Sequence, residues 1–113
     1  MDTKKELKDQ CLSIAKFLEQ KDHGKNEDGE QYAVYDYLQE VYNIDYIINH
    51  NKIYKGARLL VAGGGPNIYV DTQEKQVVGY WLDDKIEVPY YEDNLGLDDY
   101  LEEIATNLFN LNT

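Results

Sequence analysis

Asp45-Tyr46-Ile47-Ile48, Asn49-His50-Asn51-Lys52 and Ile53-Tyr54 form the stretch that decides the fold. Two β-branched and aromatic runs flank a short polar turn, the pattern of a β-hairpin. The second arm continues through Arg58-Leu59-Leu60-Val61-Ala62 until Gly63-Gly64-Gly65-Pro66-Asn67 breaks it. Ile68-Tyr69-Val70 resumes, Thr72-Gln73-Glu74-Lys75 turns again, and Gln76-Val77-Val78-Gly79-Tyr80-Trp81-Leu82 makes a further strand, with Trp81 expected largely buried. Asp83-Asp84-Lys85 reads as the next turn, into a last short strand over 86–88 that Pro89 closes. Connections this short join antiparallel neighbours.

Helical spacing brackets these strands. Leu7, Cys11, Ile14, Ala15 and Leu18 predict an amphipathic helix over about 3–20. Tyr32, Tyr35, Leu38, Val41 and Tyr42 predict a second over about 29–42, with Tyr35 and Tyr42, like Tyr69 and Tyr80 of the strands, in the core. Leu97, Tyr100, Leu101, Ile104, Ala105 and Leu108 predict a final helix, with Asp98 and Asp99 in its first turn, where the helix dipole favours them. The segment 110–113 is expected to fray. The fold class that follows is α+β. An antiparallel sheet of four to five strands carries two N-terminal helices and one C-terminal helix, in a single domain over 1–113.

A chain of 113 residues can bury about two-thirds of its unfolded surface without staples. Cys11 is alone, so no intramolecular disulfide and no thiolate zinc cluster can form, and a reducing, cytoplasmic setting is the expectation. No apolar run approaches the ~20 residues of a membrane span. The net charge of −11 disfavours nucleic acid and anionic membranes as direct ligands.

Few motifs suggest catalysis or a cofactor. Gly63-Gly64-Gly65 leads into a strand rather than a helix and lacks a following Lys-Ser/Thr, so it reads as a structural turn; a nucleotide cradle is the competing reading. His23 and His50 both fall in polar loops, expected to be solvated, and no spacing suits zinc. Ser13, the lone serine, and Cys11 have no base positioned beside them. Asp93-Asn94-Leu95-Gly96-Leu97-Asp98 lacks the alternating oxygens of an EF-hand loop. The expectation is no enzyme, no cofactor and no metal.

The acidity is concentrated. Residues 26–50 sum to −6 and 83–113 to −8, around a middle segment, 51–82, at +2. Within 83–103 stand Asp83, Asp84, Glu87, Glu92, Asp93, Asp98, Asp99, Glu102 and Glu103 against one base, Lys85, with Tyr90 and Tyr91 adjacent to each other. Fixed carboxylates among aromatic rings resemble a phosphate backbone with base faces, whose natural partner is a basic protein surface. These nine acids with Tyr90 and Tyr91 are the candidate partner-binding residues. Asp98, Asp99, Glu102 and Glu103 should form one exposed stripe opposite Leu101, Ile104 and Leu108. Plain solvation of a small soluble domain is the competing reading.

Leu59-Leu60-Val61-Ala62-Gly63-Gly64-Gly65-Pro66-Asn67-Ile68-Tyr69-Val70-Asp71-Thr72, followed by Val77-Val78-Gly79-Tyr80-Trp81, resembles a pattern in small, mostly uncharacterised proteins of bacteriophages and mobile elements. There a Gly-Gly-Pro-Asn turn precedes a strand, and a Trp-bearing strand and an acidic C-terminal helix follow. The resemblance covers about 44–105 and brings no activity with it. It implies a context, since small acidic phage proteins are often similar to nucleic-acid mimics such as anti-CRISPR and antirestriction proteins. The expectation is an inhibitor that occupies a basic nucleic-acid groove on a host defence effector in the bacterial cytoplasm, foremost a CRISPR nuclease complex. The alternatives are a non-inhibitory regulatory module of a mobile element, or a nucleotide or small-molecule binder using Gly63–Gly65.

Overall fold

The computed structural model describes residues 3–112. Helix α1 (Thr3–Glu19) and a single helical turn, α2 (Val34–Leu38), precede five strands. These are β1 (Asn43–Ile48), β2 (Tyr54–Ala62), β3 (Asn67–Asp71), β4 (Gln76–Trp81) and β5 (Asp84–Pro89), and helix α3 (Leu97–Phe109) follows. The strands form one antiparallel sheet in the order β1-β2-β3-β4-β5, so each pairs with its neighbours in the chain. The fold is α+β.

Register sorts the strand residues into two faces. Ile44, Leu59, Val70, Val77 and Val88 stand in one cross-strand row, with Ile68, Gly79 and Ile86 beside it. Leu59, Ile68, Val70, Val77 and Val88 are buried. α1 lies over β4 and β5, and α3 over β2, so both helices cover this same face and the core lies beneath them. Gly79 makes the α1 contact possible: a Cβ there would sit 2.7 Å from both Cys11 Sγ and Leu7 Cδ1. Helix α1 presents Leu7, Cys11, Ala15 and Leu18, as its spacing predicts.

Several expectations need correction. The second helix is five residues long rather than the stretch 29–42. Side chains hold the segment before it outside helical form: Asn26 Oδ1 accepts N–H bonds from Asp28 and Glu30, and Asp36 Oδ2 accepts one from Ala33. Tyr37 is the buried residue of this turn, whereas Tyr35 and Tyr42, expected in the core, are exposed, and Tyr69 and Tyr80, also expected there, stand on the opposite sheet face. Trp81 is partly buried against the core, in keeping with its expected burial. His23 is half-buried: its ring lies 4.6 Å from that of Phe17, and Nε2 donates to the Phe17 carbonyl at 2.6 Å. Strand β5 starts at Asp84, which leaves Leu82 and Asp83 as the turn.

The segment after α3 is ordered through Asn112; Thr113 lies outside the described residues. Asn110 takes a left-handed conformation, φ 54°, and Leu111 N–H donates to the Thr106 carbonyl. Leu111 is buried, a left-handed cap with its accompanying apolar contact. Asn112 then donates from its backbone to Lys52 O and from its side chain to Asn51 O, clamping the end of the described chain to the β1–β2 turn.

Candidate partner-binding surface

The acidic stretch 83–103 is one block in sequence and several places in space. Asp83 and Asp84 sit at the β4–β5 turn and the start of β5. Glu87 pairs with Val78 and projects from the sheet face that no helix covers, where it meets Lys85 Nζ at 3.8 Å. Tyr90 is buried at 3% exposure, its N–H bonded to Lys75 O, and it belongs to the core. Tyr90 is therefore not available to a partner, a correction to the expected pair; Tyr91, exposed at 79%, is. Glu92 accepts from Asn94 Nδ2 in the loop that ties back to the end of α1. There Asn94 completes the helix by bonding the Leu18 and Glu19 carbonyls, and Tyr91 N–H bonds the Glu19 carboxylate.

Asp93 has a structural role. Its carboxylate accepts N–H bonds from Gly96, Leu97 and Asp98 at 2.9–3.0 Å, taking three of the donors that the first turn of α3 leaves free. Its charge faces the helix N-terminus and is spent there.

The remaining acids converge. Asp99, Glu102 and Glu103 line an open groove of about 570 Å³, completed by Ile53, Tyr54, Thr106, Asn107 and Asn112. Helix α3 supplies the acidic wall, β2 and the residue before it supply Ile53 and Tyr54, and the clamped tail supplies Asn112. Tyr54 donates to Asp98 Oδ1 at 2.7 Å, which fixes α3 against the strand. Burial, and then that hydrogen bond to the carboxylate, pushes the Tyr54 phenol well above its ordinary range, so it remains a donor. Asp98 and Glu102, like Asp99 and Glu103, are like-charge pairs four residues apart. No cationic side chain lies within ion-pairing distance of Asp99, Glu102 or Glu103 among the described residues.

Two parts of the predicted stripe differ from expectation. Leu97, Leu101 and Ala105 form the buried face of α3, and Leu108, expected opposite the acids, is 64% exposed. Asp98 is half-buried under Tyr54 and contributes to the groove through that residue. Ile53, Tyr54 and Asn112 carry no charge, and Ile53 and Tyr54 lie far from the acids in sequence; none of the three was predicted as a site residue.

The glycine stretch links β2 to β3. Gly64 has φ 84°, a conformation that side chains resist, and the chain passes directly into a strand. Among the described residues no three His, Cys, Asp or Glu side chains come together as metal ligands, and no helix is long and apolar enough to cross a membrane. Comparison with known proteins finds no matching family model, no matching curated sequence and no matching solved structure.

Proposed function

We propose that this chain is a non-enzymatic binding protein of a phage or mobile element that captures a cationic, nucleic-acid-binding surface on a host defence effector and blocks it. A CRISPR nuclease complex is the foremost target. The observation that carries the reading is the groove walled by Asp99, Glu102 and Glu103, none of which has a cationic partner among the described residues. A lysine or arginine entering it would lay its aliphatic stem on Ile53 and Tyr54 and bring its charge to the carboxylates. The repulsion along α3 is relieved by that charge, so binding gains where the free helix loses. Asp83, Asp84, Glu87, Tyr91 and Glu92 lie outside the groove. The four carboxylates among them raise the surrounding negative potential, which speeds encounter with a basic partner, and Tyr91 offers it an exposed ring.

The test is capture from host lysate, followed by affinity for the captured protein at low and moderate salt. We expect a nucleic-acid-handling protein, released as salt rises. The triple reversal Asp99→Lys, Glu102→Lys, Glu103→Lys should lower affinity at least tenfold while far-ultraviolet circular dichroism stays native. Equal binding by a folded triple variant would overturn the reading for this groove.

A further inference from the structure

We infer that the uncovered face of the sheet is a self-association surface on which a second copy of this chain stacks face to face. Both helices lie on the other side, so the row Asn43, Leu60, Tyr69, Val78, Glu87 runs across all five strands with no helix above it. A solvated antiparallel sheet face ordinarily presents polar side chains. Here its centre is aliphatic and aromatic: Leu60 and Tyr69 are partly exposed, Val78 is only 4% exposed between its neighbours, and the partly exposed Ile47 and Tyr80 extend it.

Three features indicate a second copy as the occupant. The row reads alike from either edge: polar, aliphatic, aromatic, aliphatic, polar, with Tyr69 on the middle strand. A two-fold axis along β3 therefore sets Leu60 on Val78 of the second copy and Glu87 against its Asn43, the self-matching that an isologous interface requires. The charge also suits self-association. The outward strand residues carry Arg58 and Lys85 against Asp45, Asp71 and Glu87, a net of −1 in a molecule of −11. Asp71, near the axis, already accepts N–H bonds from Gln73 and Glu74. Repulsion between copies across this face is thus small.

Arg58 is the third feature. The chain's only arginine lies 4.2 Å over the Tyr69 ring, with Nη2 at 3.3 Å from the Tyr80 hydroxyl. Its Nε is buried without an acceptor, and no carboxylate claims it among the described residues. In the stacked pair it faces Gln76 of the second copy, whose side-chain carbonyl can accept from the guanidinium.

Five strands about 4.8 Å apart and about 20 Å long give roughly 500 Å² in projection, so a pair covers on the order of 1,000 Å², the smallest area typical of a specific interface. An interface this small is expected to give a weak, concentration-dependent dimer. Moderate salt should strengthen it by screening net repulsion, opposite to the effect on groove binding.

Sedimentation velocity of the full chain across the micromolar range tests this. We expect a concentration-dependent dimer, unchanged by the triple reversal in the groove, which separates this result from that of the proposed function. A charge on a two-fold axis meets its own copy, so Tyr69→Lys and Tyr69→Glu should each weaken the dimer at least tenfold, as should Leu60→Lys off the axis. Circular dichroism confirms which variants fold. A wild type monomeric throughout, a folded Tyr69 variant of either sign that still dimerises, or, should neither Tyr69 variant fold, a dimeric Leu60→Lys would each overturn the inference.

Discussion

Asp93 shows how far a residue's type can mislead about its task. Counted as one of nine surface acids, it accepts three backbone N–H bonds at the start of α3. Asp93→Ala should cost about 1–2 kcal/mol, in the range of a lost helix cap, while Asp99→Ala should cost less than about 0.5 kcal/mol. Urea unfolding of the two variants checks this, and equal losses would contradict it. The clue in the sequence was Gly96, placed three residues after Asp93 and just before the apolar Leu97. Tyr90 was legible too. Period-two alternation carried on past Val88 puts residue 90 inside and 91 outside, and only the assumption that Pro89 ended the pattern hid it. Ile53, Tyr54 and Asn112 offered no comparable signal, because a groove wall without charge or motif is recognisable only once α3 is docked beside it.

At the scale of elements, strands and turns were readable because each side chain's direction follows from register once a turn is placed. The second helix was overestimated for a physical reason: tyrosines at helical spacing look apolar, yet Tyr35 and Tyr42 are exposed, and Asx bonds from Asn26 and Asp36 compete with helix formation. How α1 docks was not legible at all. It depends on Gly79, where close approach of Cys11 and Leu7 leaves no room for a methyl group. Gly79→Ala should therefore destabilise by roughly 1–3 kcal/mol through overpacking, although alanine by itself suits a strand better than glycine. Thermal unfolding would show it as a lower midpoint, and a neutral result would mean that α1 can shift outward freely.

For the whole molecule, sequence gave the amount of charge but not its arrangement, since neighbouring acids along 83–103 are parted by β5, the cap and α3. The burial of ionisable groups has a global effect as well. Cys11 is inaccessible, and burial pushes its thiol up to about 11 from 9.0. Between those values the unfolded chain loses a proton that the folded chain keeps, so stability is fully present below pH 9 and declines as pH rises toward 11. Burial holds the phenols of Tyr37, Tyr54 and Tyr90 up as well, extending the decline past their ordinary 10.0. The expected loss from Cys11 alone is on the order of 1–3 kcal/mol. Urea midpoints measured from neutral pH upward should show it, with Cys11→Ala flattening the portion that begins near pH 9. The placement of the helices also bears on how the chain is made. Helix α1 is synthesised before β4 and β5, on which it rests and which follow about 60 residues later. At ~5–20 residues per second of synthesis, its apolar stripe waits roughly 3–12 s for a seat. During that interval the nascent chain offers chaperones an amphipathic helix that the finished protein hides.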